Sequence, residues 1–244
     1  MGVTGNFKEG EALCEKALRF AFELDNLYNI GYAELSYGGL FAHKGDGKNV
    51  IRHAQNAVRY GEEAQFTVMV GMALALLGRG YLFLGELDLA REYLEKSLTI
   101  NREMGLDSAI PLIYISSGMI DFDAGDLRNA QGNAEKALKL AQSSNQRSSE
   151  AFSYMLLGRV LVKLGASEKN RAEKHILQGI QIANDLSLKP SYSIGYLCLG
   201  ELYTNTGQKE KALEILEEAE AAFQEMGMDY WLRRTQEVLE KVEG

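Results

Sequence analysis

Proline, cysteine, histidine and tryptophan are all scarce in this chain, at two, two, three and one among 244 residues, and each shortage rules something out. Proline removes a backbone donor and clashes with the preceding turn, so its near absence leaves long helices uninterrupted. An all-α chain is the expectation. Cys14 and Cys198 stand far apart, each inside an apolar helical pattern. That excludes a disulfide framework and reads as two reduced, buried thiols of a cytoplasmic protein. His43, His53 and His175 are singletons, with no partner three or four residues away and no cysteine cluster. Each therefore takes a structural or surface role, and neither a metal site nor a histidine-based catalytic group is expected.

Basic residues are the next shortage. Against 34 Asp and Glu there are 26 Lys and Arg, a net charge of -8, which excludes an extended phosphate-binding face because nucleic-acid affinity rests on cations displacing counterions. No apolar run approaches the roughly 20 residues of a membrane-spanning helix. The start, Met1-Gly-Val-Thr-Gly-Asn6, has neither the basic flank nor the apolar stretch of a secretion signal. Carboxylates such as Glu214, Glu217, Glu218 and Glu220 follow lysines on helical faces that read as solvated. Gly78 to Gly85 is glycine-rich but lacks the Lys-Ser/Thr of a phosphate loop and lies within a helical pattern. The expectation is a non-enzyme without cofactor, catalytic residue or metal, cytoplasmic, and with neither nucleic acid nor membrane as partner.

Glycine, by contrast, is plentiful and periodic. Gly38, Gly78, Gly118, Gly158 and Gly200 are spaced 40, 40, 40 and 42 residues apart, and each is followed seven residues later by another glycine, at 45, 85, 125, 165 and 207. Nineteen residues after the first glycine stand Ala57, Ser97, Ala137 and Ala219, with Gly179 in the fourth unit after a two-residue insertion in Ala166 to Ala172. A glycine in mid-helix costs about 1 kcal/mol relative to alanine. Its recurrence predicts a second helix passing too close for a side chain. The second glycine predicts a left-handed turn between two helices.

The columns resemble the tetratricopeptide repeat: Leu74, Leu77-Gly78, Tyr81, Ala90, Leu94 and Ser97 in one unit, and Tyr196, Leu199-Gly200, Tyr203, Ala212, Leu216 and Ala219 in another. The period of 40 exceeds the usual value of about 34. It is similar to the longer arrays of spindle-adaptor proteins, bacterial peptide-sensing regulators, and large bacterial signalling ATPases and transcription activators. The resemblance implies an all-α, right-handed α-solenoid of antiparallel helix-turn-helix repeats. The units are residues 31–70, 71–110, 111–150, 151–192 and 193–228, with a leading half repeat at 1–30 and a capping helix at 229–244. A leading second helix without its first is expected of a fragment cut from a longer protein, or of an end covered by another chain. The third unit places Ser117 and Asp121 where apolar residues are expected and should pack most loosely.

In such arrays the first helices line the inner side, with residues six and three before the glycine and one and four after it facing inward. In the three middle units these are Met72, Ala75, Arg79 and Leu82; Leu112, Ile115, Met119 and Phe122; and Phe152, Met155, Arg159 and Val162. A helix apolar on the groove side as well as the core side either exposes an interaction surface or is enclosed by neighbouring first helices. Arg79 and Arg159 are candidate anchors for acidic groups, or else extend from the rim. The expected function is recognition of a partner helix or peptide, as the scaffold or regulatory module of a signalling protein. The alternative is a sensor for a short peptide or small metabolite. Self-association is a further partner mode.

Overall fold

The computed structural model describes residues Thr4 to Gly244, apart from the side chain of Ala166. Among them are twelve α-helices: α1 (Phe7–Glu23), α2 (Leu27–Lys44), α3 (Gly47–Glu63), α4 (Thr67–Leu84), α5 (Leu87–Glu103), α6 (Ile110–Asp123), α7 (Leu127–Ser143), α8 (Arg147–Leu164), α9 (Lys169–Asp185), α10 (Lys189–Asn205), α11 (Lys209–Met226) and α12 (Asp229–Glu243). The described residues contain no strand. Five first-helix and second-helix pairs run from α2 to α11, preceded by a lone second helix, α1, and followed by α12. Several helices begin at a side-chain cap. Asn26, Asp46 and Asp126 accept a hydrogen bond from the backbone N–H three residues on, at 3.0, 3.2 and 3.1 Å, which satisfies one of the otherwise orphaned donors.

The chain gathers into two compact units, one holding Asn6–Ser116 and the other Ser117–Gly244, so the division falls inside α6. Within the first, α2 packs on α1 and α3, α4 packs on α3 and α5, and α2 and α4 touch each other. Within the second, α7 to α12 pack in chain order, with α8 against α10 and α10 against α12. First helices therefore meet second helices on one side and other first helices on the next.

The glycine columns mark those meetings. A methyl group added at Gly78 would lie 2.5 Å from Cγ of Leu94, and one at Gly158 would lie 2.5 Å from Cγ1 of Ile176. The second helices carry their buried residues on one stripe, as in Ala90, Leu94, Ser97 and Asn101 of α5, whereas α4 buries eleven of its residues. By length and composition α4 could cross a membrane, contrary to the expectation that no run comes near that; 61% of it is buried inside the protein, which gives its apolar surface a use.

Of the two polar residues noted in the third repeat, Asp121 is buried and Ser117 half-buried; the neighbouring Ser116 is buried too. Asp121 accepts a hydrogen bond from Asn133 at 2.8 Å, and Ser116 donates to the Leu112 carbonyl at 2.9 Å. The insertion in the fourth unit is a short 3-10 turn, Ala166–Glu168, and it leaves Gly165 at φ 142°, unlike the 80° of Gly85. Of the two thiols, Cys198 is buried as expected, but Cys14 is only half-buried.

A further column lies at the turn from each second helix to the next first helix. Asp25, Gln65, Asn145 and Ser187 adopt φ of 48, 52, 54 and 56°, as do Gly105 and Gly227 at 65°. Side chains disfavour that conformation by roughly 1–2 kcal/mol, part of which glycine's extra unfolded-state entropy cancels. Ser187→Gly is therefore expected to raise the stability of the second unit by about 0.5–1 kcal/mol. Urea unfolding followed by circular dichroism checks this; a lower midpoint would contradict it.

Candidate functional site

The inward columns separate into buried and open positions. Those three residues before the glycine are buried in every unit, Ala75 at 8% exposure, Ile115 at 3% and Met155 at 2%. Their burial follows from the close helix approach: methyl groups added at Gly179 and Gly195 would meet Met155, so this side chain fills the space between α8, α9 and α10. Leu82 is buried too, at 2%. Among the inward residues of the first unit, Met72 is exposed and Leu112 half-buried; in the second unit Met119, Phe122, Phe152 and Val162 are half-buried. Leu82, Ile115 and Met155, expected to face inward, are thus buried within the fold, Met155 between α8, α9 and α10.

The two arginines, in equivalent positions, differ in their partners. Arg159 is 5% exposed and donates to both carboxylate oxygens of Glu201, at 2.6 and 2.7 Å, with its guanidinium 4.6 Å from the centre of the Phe122 ring. Burial opposes its charge, but Glu201 outweighs burial and holds the pKa above its ordinary value. Nearby, Arg234 on α12 grips Asp123 at 3.0 and 2.9 Å and also donates to the Tyr230 hydroxyl at 2.8 Å. Burial likewise works against this cation, and hydrogen bonding to Asp123 overrides it and raises its pKa. Cys198, in the same region, is pushed up to about 12, chiefly by burial. Such a pair-by-pair arrangement leaves no charge over for a ligand.

Arg79 has no such carboxylate. Its guanidinium donates to the backbone carbonyl of Ala42 at 3.2 Å and lies 5.9 Å from the Phe83 ring centre, and it makes no ion pair among the described residues. Burial lowers its pKa to about 10, and it remains cationic at neutral pH. Part of the side chain stays open to solvent. Beside it His43 is lowered to about 4, first by burial and then by the Arg79 charge.

The other two histidines are structural. His53 is buried against Glu34 at 2.6 Å and stacks on Tyr37, ring centres 4.1 Å apart; His175 stacks on Tyr154. Sequence spacing of three or four residues misses the His53 to Glu34 pair, which spans α2 and α3. Among the described residues no group of His, Cys, Asp and Glu is placed to hold a metal ion.

Helix hairpins recurring every 40 or 42 residues, with a small residue at each close crossing, define a tetratricopeptide-repeat array. The chain belongs to the MalT-like TPR family, whose profile matches residues 36–239. No curated protein matches it in sequence. Among solved structures, BtubC (BKLC) from P. vanneervenii is 20% identical, with 91% of this chain and 92% of that one covered and a TM-score of 0.62. The apo form of RapI is 14% identical, with coverage of 96% and 98% and a TM-score of 0.63. A signal transduction ATPase with a tetratricopeptide-repeat sensor, PH0952 from Pyrococcus horikoshii, is 20% identical, covering 87% of this chain but 32% of that one, with a TM-score of 0.60. At these identities the likeness is one of fold.

His43 gives the region a pH signature. Its ordinary pKa is near 6.5 and its folded value about 4, so between these the unfolded chain binds more protons and stability falls as the pH is lowered. The contribution is complete above the unfolded value and lost on descending to the folded one, with an upper bound of about 3 kcal/mol. Urea unfolding of the first unit across this range should show a shallower pH slope in His43→Gln than in the parent chain. Equal slopes would contradict it.

Proposed function

We propose that the chain is a protein-interaction module that takes a protein or peptide segment against the inward columns of its first helices, Arg79 supplying the anchor for an acidic group in the first unit. The observation that carries this reading is the contrast between two equivalent positions. Arg159 has its carboxylate within the chain, whereas Arg79 has only a carbonyl and the Phe83 ring. A guanidinium that is mostly enclosed and lacks a counter-ion gains most from a ligand carboxylate, which accepts two parallel hydrogen bonds. Exposed Met72, on the same helix, is one of the adaptable side chains that suit varied apolar contacts. A neighbour in fold, a Rap protein, is known complexed with Competence and Sporulation Factor, which supports a peptide as ligand.

A sensor for a short peptide or small metabolite is the second reading. The same lone guanidinium favours it, since one small carboxylate suffices to pair it. The fold shared with a repeat sensor of a signalling ATPase points the same way.

Panning a displayed random-peptide library against the 244-residue chain, followed by calorimetric titration of the enriched peptides, tests the proposal. Enriched sequences should carry a carboxylate next to apolar residues. Arg79→Gln should weaken them by about 1.5–3 kcal/mol, tenfold or more, and Arg79→Lys by less. No enrichment, or affinities indifferent to Arg79→Gln, would overturn the anchor. Titration with small carboxylic acids identifies the sensor reading if they bind and peptides do not.

A further inference from the structure

A helical repeat array is held together by contacts between neighbouring repeats, so its winding is the sum of small separate steps. The second unit carries a contact that departs from this rule. Asp123 ends α6 and Arg234 lies on α12, with α8 and α10 between them in the order of first helices. The two side chains nevertheless form a two-pronged ion pair, Nη1 donating to Oδ2 at 3.0 Å and Nη2 to Oδ1 at 2.9 Å. Nη1 also donates to the Tyr230 hydroxyl, one turn earlier on α12, so the guanidinium is steadied by its own helix. Arg234 lies within electrostatic reach of Glu201 and Arg159. Four charges of alternating sign, Asp123, Arg234, Glu201 and Arg159, thus link α6, α12, α10 and α8.

The two pairs differ in exposure. Arg159 and the neighbouring Cys198 are 5 and 1% exposed, whereas the side chains of Arg234 and Asp123 keep 25 and 19% of their surface in water. A partly exposed ion pair shifts an equilibrium by less than about tenfold, while its two-pronged geometry makes it directional. It is strong enough to bias the unit and weak enough to part. Meanwhile α12 is fastened from its other side by buried Trp231, Thr235, Val238 and Val242, and α8 packs on α10 without help from the outer pair. Loss of the pair therefore leaves every helix in place.

We infer that Arg234 and Asp123 form a latch holding the inner side of the second unit shut, and that parting this pair lets α6 and α12 separate and opens the seam between α8 and α10. Cys198 on α10 is the chain's own reporter of that seam. It is buried, feels the charges of Arg159 on α8 and of Glu201 and Arg234, and reacts only when a reagent reaches it, through its thiolate.

Modification of Cys198 by a neutral maleimide tests the inference, in the 244-residue Cys14→Ser chain without denaturant. Asp123→Asn and Arg234→Gln should each react about three- to tenfold faster than the parent, with unchanged helical circular dichroism. Arg234→Lys, which keeps the charge but not the two-pronged grip, should fall between. Electrostatics alone gives the opposite sign for Arg234→Gln, because the Arg234 charge favours the thiolate; a faster reaction therefore reports access. Rising salt should speed the parent and leave Asp123→Asn unaffected, since screening loosens only a latch that is present. Arg171→Gln, which removes the pair with Glu168 on the outer side of the same unit, should leave the rate alone. Equal or slower reaction in Asp123→Asn and Arg234→Gln, or an equal acceleration in Arg171→Gln, would overturn the inference. The outcome is independent of ligand binding at Arg79.

Discussion

Close approach of helices at small residues is the constraint on which this structure depends. Gly78 brings α4 so near α5 that even a methyl group would collide with Leu94, and Gly158 does the same for α8 and α9. Once two axes are that near, neighbouring residues lose their access to water, and dispersion and hydrophobic terms that fall off within an ångström or so become available along the whole contact. The repeat is less a motif of particular large residues than a schedule of places where the backbone is left bare. Apolar residues of several shapes then fill what remains, which is why Leu94, Ile176 and Leu216 serve one column while Ala54 and Ala134 also occupy it.

The same constraint decides which inward positions are free for function. The column of Ala75, Ile115 and Met155 is buried, and in the second unit charges are matched internally as well, Arg159 with Glu201 and Arg234 with Asp123. A buried cation paired in two directions holds helices in register at little net gain in stability, since desolvation offsets much of the attraction. Arg79 is the departure from that pattern. Among the described residues Arg79 is a mostly enclosed cation whose desolvation is not compensated by an acid of its own, and the proposed recognition site rests on that imbalance.

Much of this was legible in the sequence, for physical reasons that also explain what was not. Glycine columns report backbone proximity directly, so helix pairs, connecting turns and the two-residue insertion could be read from spacing alone. The turn at Asp25, Gln65, Asn145 and Ser187 could not, because four different residues adopt one left-handed conformation there and only Gly105 and Gly227 reveal it. Apolarity on the groove side of α4 and α8 was visible, but a list of apolar residues does not say whether neighbouring helices or a partner covers them. That depends on distance between elements. Ion pairs were hidden for a similar reason: Arg159 and Glu201 are one repeat apart, and Asp123 and Arg234 are 111 residues apart. Spacing within a helix carries no trace of either.

The most direct test of the central claim is a double-mutant cycle between Gly78→Ala and Leu94→Ala, measured by urea unfolding. A methyl group at residue 78 is opposed chiefly by the Leu94 side chain, at 2.5 and 2.7 Å from its Cγ and Cδ2, with the Ala90 carbonyl at 3.1 Å behind it. If steric approach sets the structure, Gly78→Ala costs about 1–3 kcal/mol in the parent chain and much less, or nothing, once Leu94 is truncated, giving a coupling energy of about 1 kcal/mol or more. Additive costs, with Gly78→Ala as harmful beside alanine as beside leucine, would contradict it.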